Sequence, residues 1–253
     1  MGKVQLVDLS HPFGFGVPLW PYFSDVAIER IHYHQKTGVL TQKITCTMHT
    51  STHADSPAHV FEGGMYTDEI PLEKYYGTGV VVDIPKKQWG IITPDDLEKA
   101  RPKIEKGDIV IVHTHWHIYY GDNSKYFCYS PGLYKEAGDW FVEKGVKCVG
   151  VDQQALDHPL ATAIGYHGIG PIRKDVCDEY KAKTGKDPRD VFPLWEPCHH
   201  ALLENGIMGY ENVGGDIDKV VGKRVTLAGF PIRWTKGDGS MVRLVAIVDK
   251  GDQ

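Results

Sequence analysis

The sequence lacks the features of three specialised protein classes. Its five cysteines are odd in number and dispersed, with no Cys-x-x-Cys pair, which argues for reduced thiols and against a disulfide framework. No apolar run approaches the roughly 18 residues of a membrane-spanning helix. The N-terminal residues also lack the apolar core of a signal peptide. We therefore expect a cytoplasmic protein without a membrane partner.

Charge of one sign is not concentrated anywhere in the chain. The formal net charge is −5, and no cluster of lysine or arginine alternates with aromatic residues. This pattern excludes nucleic acid and anionic membranes as expected partners and leaves a small-molecule substrate. The 253 residues, 42% of them hydrophobic, provide ample material for a buried core, and we expect one domain spanning residues 1–253.

Metal-binding side chains, in contrast, are concentrated in one short segment. Residues 49–59, HTSTHADSPAH, include His49, His53, Asp55 and His59. Imidazole and carboxylate are ligands that zinc, manganese and iron(II) share, and catalytic zinc is usually held by three such groups with one open position. We predict that His49, His53 and Asp55 are metal ligands. His59 is a candidate acid or base, the alternative being a residue that only hydrogen-bonds to the site.

The spacing of this segment requires a turn between its first two histidines. In an extended strand His49 and His53 would be roughly 13 Å apart, whereas ligand nitrogens on one ion must come within about 4 Å of each other. The small polar residues 50–52 permit that turn, and Ser56-Pro57 favours an extended, non-helical exit. We therefore predict a strand that ends in a ligand-bearing loop.

A second group of chemically competent residues lies near the end of the chain. Either His199 or His200 opens a short predicted helix, Gly206 allows the chain to turn back, and Glu211 follows on an extended return. A histidine and a carboxylate can meet in this way despite their separation. The spacing alone does not choose between the two histidines.

Both segments resemble the motifs of one known family. Residues 49–59 resemble the His-x-Gly-Thr-His-x-Asp-x-Pro-x-His motif of the metal-dependent cyclase-like hydrolases. Residues 199–211 resemble the family's His-Arg-x-Leu-Leu motif with its later glycine and glutamate, a similarity that selects His199 over His200. Weaker similarities extend the resemblance over most of the chain, at residues 8–12, 18–21 and 149–152.

The resemblance implies a fold, an assembly and a cofactor. The fold would be a mixed swivelling β/β/α arrangement of the α/β class with a barrel-like sheet. The assembly would be a homodimer or homotetramer whose neighbours help to close the site. The cofactor would be zinc or manganese, one or two ions per chain, with His49, His53 and Asp55 on the first ion. Asp55 would bridge to a second ion held by His199 and Glu211.

The predicted chemistry is hydrolysis of a carbonyl compound. A bound divalent ion lowers the pKa of its water toward about 7 and polarises the carbonyl. His59 would take the proton and return it to the leaving atom, a role worth about 10² to 10⁴ in rate. Cleavage of an amide-type carbon–nitrogen bond, as in an arylformamidase, is the default interpretation, and hydrolysis of a cyclic amide or lactone is the alternative. Two other classes stay open: a non-catalytic protein with a saturated metal, and an iron(II) oxygenase with a two-histidine, one-carboxylate triad.

This chain departs from the family in three places, one of which is that the residues after Asp152 lack the serine often found there. Ser51 stands where the first motif has glycine, a change that ordinary backbone torsions would allow. Residues 112–117, VHTHWH, stand where many members have an Arg-Thr-Gly-Trp stretch. We therefore expect the substrate to be the property in which this chain differs from its relatives.

Candidate substrate-binding residues are Trp20, His113 and Trp116. Three histidines of the departing stretch, His113, His115 and His117, alternate and would share one face of a strand. They would line the pocket or serve an exposed or structural role. The two tryptophans would form a substrate wall, the alternative being ordinary core packing.

The pattern of the whole chain predicts eight strands and four helices. The strands are residues 4–9, 27–33, 41–48, 79–84, 108–114, 146–151, 224–232 and 242–248. The helices begin at Thr93-Pro94 and at Ser130-Pro131, where the hydroxyl caps the first turn, and at Lys174 and Pro197. The second of them ends at Gly145. Strand and helix do not alternate regularly, which argues against a TIM barrel or a simple doubly wound sheet and for a mixed α/β domain.

Overall fold

The computed structural model describes residues 4–249, which form eleven strands and seven α-helices. The strands are β1 Val4–Asp8, β2 Ala27–His32, β3 Thr41–Thr45, β4 His53–Asp55, β5 Tyr76–Asp83, β6 Ile109–His113, β7 Cys148–Val151, β8 Met208–Glu211, β9 Lys223–Ala228, β10 Gly239–Met241 and β11 Val245–Asp249. The α-helices are α1 His34–Thr37, α2 Pro94–Lys99, α3 Asn123–Cys128, α4 Lys135–Lys144, α5 Lys174–Thr184, α6 Pro188–Val191 and α7 Pro197–Glu204. Short 3₁₀ helices occupy Pro57–His59, Leu72–Tyr75, Trp116–Tyr119, Pro159–Ala161 and Ile217–Lys219. None of the described helices is long and apolar enough to cross a membrane.

Nine strands form one curled, half-barrel sheet in the order β1-β11-β9-β5-β6-β7-β8-β4-β10. Its centre, β5 to β8, is parallel. The strands on both sides of that centre are antiparallel. β2 and β3 form a separate two-stranded sheet. The prediction of a mixed α/β fold with a barrel-like sheet is confirmed.

The parallel centre is buried on both faces because its strands are continuous apolar runs. Val81, Ile109 and Ile111 pack on one face with the antiparallel strands, and Val80 and Val110 pack on the other face. Helices α2, α4 and α7 contribute apolar side chains to the second face. The carboxyl ends of the parallel strands therefore meet at one edge of a rigid, well-packed sheet.

Each of the eight predicted strands overlaps a strand of the structure, and β4, β8 and β10 were not predicted. These three strands have only three or four residues, too few for a periodic pattern. The helix predicted from Ser130-Pro131 begins only at Lys135, so that start is wrong. Gly132 and Leu133 instead pair as bridges with Ile91 and Asp157. The predicted end is confirmed, since Gly145 is left-handed with φ of 71°.

Candidate metal centre

Two short strands place a histidine and a carboxylate directly opposite each other. β4 pairs antiparallel with β8 so that His53 faces Glu211. Asp55, two residues along β4, lies on the same side of the sheet as His53. Gly209 is the residue opposite Asp55, where an added Cβ would be 3.6 Å from Asp55 Oδ2. Sheet register and a glycine thus bring three buried polar groups together.

The loop before β4 returns His49 to the same point. Ser51 adopts a left-handed backbone conformation, with φ of 59°, and His49 Nδ1 lies 2.8 Å from Asp55 Oδ1. The turn that was predicted within residues 50–52 is therefore present. The condition under which serine would be a small change, ordinary backbone torsions, is not met at Ser51, because the backbone has the conformation that suits the motif's glycine.

The donor atoms of this group fit a divalent metal ion. His53 Nδ1 donates to the Ser51 carbonyl at 2.8 Å, so Nε2 carries the lone pair of the neutral ring. Among the described residues that buried Nε2 has no hydrogen-bond partner, although Asp55 Oδ1 is 3.4 Å and Glu211 Oε2 is 3.5 Å away. Asp55 Oδ2 is buried and equally without a hydrogen-bond partner within residues 4–249. Acceptor atoms that face one another in a buried site are stabilised by a cation between them, and imidazole with carboxylate suits zinc or manganese.

Helix α7 delivers His199 to this group. Asp157 accepts hydrogen bonds from the backbone N–H groups of Cys198 and His199, each at 2.9 Å, and so holds the first turn of the helix. The same carboxylate lies 2.7 Å from His199 Nδ1. His199 Nε2 is 2.9 Å from Glu211 Oε1 and 3.8 Å from Asp55 Oδ2. A carboxylate thus orients this imidazole from behind, as is usual for metal-binding histidines.

The neighbouring histidine of α7 does not enter the site. His200 is partly exposed and pairs with Glu204 along the helix at 2.7 Å. Glu211, by contrast, is held inside, because the Leu156 N–H donates to its Oε1 at 2.7 Å. The structure therefore places His199, the histidine that the family resemblance selects, beside Glu211.

His59 and Asp238 complete the group at its exposed side. The His59 ring packs on the His49 ring, with centroids 3.9 Å apart, and its side chain is 31% exposed. Asp238 Oδ2 is 2.9 Å from His49 Nε2 and 3.9 Å from His59 Nδ1. His59 is the histidine of the motif with access to both solvent and the cavity, which suits transfer of a proton.

Burial and charge act against each other at this centre. Burial favours the neutral form of His49, but hydrogen bonds and charges from Asp238 and Asp55 outweigh it and raise the pKa of His49 to about 10. Burial also opposes ionisation of Asp55, yet His53 and His49 hold the pKa of that carboxyl well below its usual range. The positive charge that keeps Asp55 ionised comes from these two histidines, and a divalent cation bound among these groups would supply it in their place.

A cavity of about 60 Å³ opens beside the candidate ligands. Its lining combines site residues with an aromatic wall: His49, His53, His59, His199, Glu211, Trp20, Tyr22, Phe23, Gln154, Ala155, Thr162 and Glu196. Trp20 lines this cavity and also packs in an aromatic core cluster, so its role in a substrate wall stays a prediction. Trp116 does not line this cavity, because it packs in an aromatic core cluster and donates to the Tyr126 carbonyl at 3.1 Å. His113 is also absent from the lining and lies in a second histidine cluster.

The ligand atoms are grouped differently from the prediction. Mutually close atoms come from His53, Asp55 and Glu211 in one group, and from His49, Asp55 and His59 in another. Asp55 is shared by the two groups, and its bridging of two ions stays a prediction. Glu211 was predicted beside His199 on the second ion, but cross-strand pairing also places it against His53. Sheet register therefore decides which of these candidate ligand atoms lie close together.

Three carboxyl groups of the site were not predicted. Asp157 and Asp238 contact histidines of the centre from segments more than 30 residues distant in sequence, and no spacing pattern links them. Glu196 lines the cavity, and burial is the main cause that raises the pKa of its carboxyl. The sequence offers one signal for Glu196, which is that it directly precedes Pro197, the first residue of α7.

Comparison with known proteins finds a matching family model and similar sequences and folds. The family model "Putative cyclase" matches residues 7–158. Kynurenine formamidase of Bacillus mycoides (strain KBAB4) is 25% identical over 246 residues, which are 97% of this chain and 98% of that protein. Isatin hydrolase A from Ralstonia solanacearum has a TM-score of 0.77 at 22% identity, covering 97% of this chain and 92% of that one.

A further solved structure has the same fold. It is described as a "Potential Metal-Dependent Hydrolase With Cyclase Activity" and has a TM-score of 0.67 at 20% identity, covering 97% of this chain and 98% of that one. These likenesses establish a cyclase-like fold. Because the family model covers more than half of the sequence, this chain belongs to the Cyclase family, as the motif at residues 49–59 predicted.

Proposed function

We propose that this protein is a metal-dependent hydrolase that cleaves an amide-type carbon–nitrogen bond of a small aromatic substrate. One observation carries the proposal: the lone pair of His53 Nε2 faces Asp55 and Glu211 in a buried site that opens into a cavity. The kynurenine formamidases, which are similar over nearly the whole chain, support the bond type. The metal-dependent hydrolase of the same fold supports the use of a metal.

The candidate ligands suit zinc or manganese, with one or two ions per chain. Two groups of ligand atoms share Asp55, so these residues would be able to hold either one ion or two. A divalent ion held there would supply an activated water and an electrophile for the carbonyl oxygen. His53 and His199 are oriented for this purpose by the Ser51 carbonyl and the Asp157 carboxylate.

The chain's own residues handle the proton and the substrate. His59 would accept a proton from the attacking water and return it to the leaving nitrogen, since its ring lies at the cavity and is partly exposed. Asp238, 3.9 Å from His59 Nδ1, would stabilise the ring while it is charged. The aromatic wall of Trp20, Tyr22 and Phe23 would exclude water from the scissile group.

The size of the cavity indicates how a substrate would bind. A cavity that holds benzene measures about 150 Å³, so 60 Å³ has room for a carbonyl group and its nucleophile but not for an aryl ring. The aryl ring would therefore lie against Trp20 and Tyr22 at the mouth. This arrangement suits an N-formyl aromatic amine, whose small formyl group can enter alone.

The test of this proposal is the His59→Ala variant. Chelated and remetallated protein should keep its full metal content but lose about 10² to 10⁴ in turnover of an N-formyl aryl amine. His200→Ala is the matched control, because His200 is a partly exposed histidine paired with Glu204 outside the cavity. Unchanged turnover in His59→Ala would remove His59 from the mechanism, and turnover that survives complete metal removal would refute the proposal itself.

A cyclic amide or lactone is the second candidate substrate. The structural likeness to isatin hydrolase A shows the fold alone, but the aromatic wall would accommodate a fused ring as well as an aryl amine. A substrate panel distinguishes the two candidates, because a formamidase releases formate and a ring-opening hydrolase gives one product with no fragment lost. An oxygen requirement for turnover would support the iron(II) oxygenase instead.

We also propose that the protein forms a homodimer or homotetramer in the cytoplasm, with neither nucleic acid nor a membrane as a partner. The β2–β3 hairpin supports an assembly, because it stands apart from the main sheet and exposes Ile31, Val39 and Ile44, each by more than half. All five cysteines are free thiols, as expected in a reducing compartment. Analytical ultracentrifugation of Val39→Lys against wild type tests the role of the hairpin.

A further inference from the structure

A second cluster of histidines and aspartates lies at the carboxyl ends of the parallel strands. We call it the second histidine cluster, and its members are Asp83, His113, His115, His117, Asp152 and Asp218. It lies at the end of β6, two strands from Glu211 at the end of β8, which corresponds to roughly 10 Å. None of its members lines the cavity of the candidate metal centre.

The fold, and not a common strand face, brings these histidines together. In a continuous strand His113 and His117 would be roughly 13 Å apart. β6 ends at His113, and His115 is left-handed with φ of 68°, so the chain reverses into the 3₁₀ helix that carries His117. The ring centroids of His113 and His117 are consequently 5.1 Å apart. The prediction of one shared strand face for the three histidines is wrong for this reason.

Both rings present the same nitrogen to one carboxylate. His113 Nε2 is 3.3 Å from Asp218 Oδ1, and His117 Nε2 is 3.5 Å from Asp218 Oδ2. Each ring is also held from behind, His113 Nδ1 by Asp83 and His117 Nδ1 by Asp152, both at 3.3 Å. Each imidazole is thus oriented by a carboxylate at its Nδ1, and both Nε2 atoms face the Asp218 carboxylate. This arrangement is typical of a metal site.

A second observation points to a ligand at this position. His113 is 1% exposed, and its Nε2 is buried with no hydrogen-bond partner among residues 4–249. With the Nδ1 proton directed at Asp83, that Nε2 carries a lone pair 3.3 Å from a carboxylate oxygen of Asp218. A buried lone pair facing an anionic oxygen is unfavourable unless a cation lies between them.

We propose that His113 Nε2, His117 Nε2 and the Asp218 carboxylate bind a divalent transition-metal ion, zinc in the first place, at a site separate from the candidate metal centre. These atoms lie within 4.8 Å of one another, which one ion at about 2.1 Å from each ligand can span. Asp218 is 70% exposed, so water completes the coordination from outside. The ion ties the Ile217–Lys219 turn to the end of β6. This site does not depend on the proposed hydrolase activity.

The test counts zinc ions per chain. Protein stripped with a chelator is titrated with Zn²⁺ alone by calorimetry, and its zinc content is measured after desalting. Asp218→Asn and His117→Gln should each bind one ion per chain fewer than wild type. Asp216→Asn is the matched control for the first, since Asp216 is an exposed aspartate two residues away that pairs with Lys219. The zinc content of the Asp218→Asn chain then reports the candidate metal centre alone.

His115→Gln checks the choice of ligands within the cluster. His115 Nε2 lies 2.8 Å from Asp83 Oδ1, on the Nδ1 side of His113, so this variant should bind as many ions as wild type. Equal zinc content in wild type, Asp218→Asn and His117→Gln would overturn the proposal. Should His117→Gln fail to fold, the exposed Asp218→Asn still decides. A crystal soaked in Zn²⁺ should show anomalous density between His113 and Asp218, and density on Asp83 and His115 instead would overturn the ligand assignment.

Discussion

Ser51 and Ser56 should respond in opposite ways to replacement by alanine or glycine. Glycine should give the more stable protein at Ser51, and alanine should give the more stable protein at Ser56. Ser51 is left-handed with φ of 59°, whereas Ser56 is extended with φ of −103° and ψ of 159°. Both serines are buried, and both hydroxyls donate to backbone carbonyls, Ser51 to His11 at 3.3 Å and Ser56 to Asp238 at 2.9 Å. Alanine and glycine remove the hydroxyl equally at each position. Their difference therefore isolates the backbone conformation.

The expected magnitudes follow from the two torsions. At Ser51 an alanine in the left-handed conformation lowers the free energy of unfolding by about 1 to 2 kcal/mol. A glycine lowers it by about 0.5 to 1 kcal/mol, because glycine gives the unfolded chain more conformational entropy. Glycine should thus be the more stable replacement there by about 0.5 to 1 kcal/mol. At Ser56 only the entropy difference acts, so alanine should be the more stable by about 0.5 to 1 kcal/mol.

Urea unfolding of the four variants measures these differences. The chains should be metal-free and in chelator, because an ion that binds only the folded state would add its own contribution to the free energy of unfolding. Equal m-values would show that the unfolded states are comparable. If alanine were as stable as glycine at Ser51, the left-handed turn would not be the device that returns His49 to Asp55.

Three further perturbations act on other parts of the same site. An added Cβ in Gly239→Ala would be 2.7 Å from His49 Cε1, so the ring must shift, and we expect turnover to fall about 10²-fold. Asp157→Asn should weaken metal binding about 10- to 100-fold in a Zn²⁺ titration, because this carboxylate orients His199. Burial lowers the pKa of His158 to about 3. Below about pH 6.5 this histidine is therefore protonated in the unfolded chain but not in the folded protein, so the free energy of unfolding falls as the pH decreases. Between about pH 6.5 and pH 5 the free energy of unfolding of wild type should therefore fall by about 2 kcal/mol more than that of His158→Gln. Urea unfolding at both pH values measures this difference.

Each of these expectations has a result that would contradict it. Gly14→Ala is the control for Gly239→Ala, since an added Cβ at Gly14 meets no atom within 4 Å, and equal turnover in the two variants would refute the argument from the clash. Unchanged zinc affinity in Asp157→Asn would show that helix α7 alone positions the imidazole. Parallel pH profiles for wild type and His158→Gln would show that His158 takes up its proton in the folded state.

Much of the fold follows from the sequence because its long elements carry periodic signals. The buried parallel strands appear as apolar runs, and α2 begins at Thr93-Pro94 with a capping box, both of which are local features. The start of α4 was predicted wrongly because a tertiary interaction, the bridge of Leu133 to Asp157, overrides the local signal of Ser130-Pro131. Local chemistry predicts an element, and tertiary pairing can move its boundary.

The candidate site could be predicted only as far as its ligand-bearing motifs reach. His49, His53 and Asp55 are close in sequence. The chain pattern pointed to Glu211 with either His199 or His200, and the family resemblance selected His199. The residues that orient these side chains come from elsewhere and carry no motif: Asp157 lies behind His199, and Asp238 lies beside His49. Their roles depend on three-dimensional proximity, which the spacing of residues in the sequence does not encode.

The two clusters use the same means to aim an imidazole, and this bears on how metal binding and folding are linked. In each case an acceptor fixes Nδ1, the Ser51 carbonyl for His53, Asp157 for His199 and Asp83 for His113, so that Nε2 is left for a ligand. Both Asp157 and Asp83 lie at least 30 residues from the histidine they hold. Because these acceptors arrive only with the tertiary fold, the unfolded chain has neither site preformed. A metal ion should therefore bind the folded state in preference and add its binding free energy to stability.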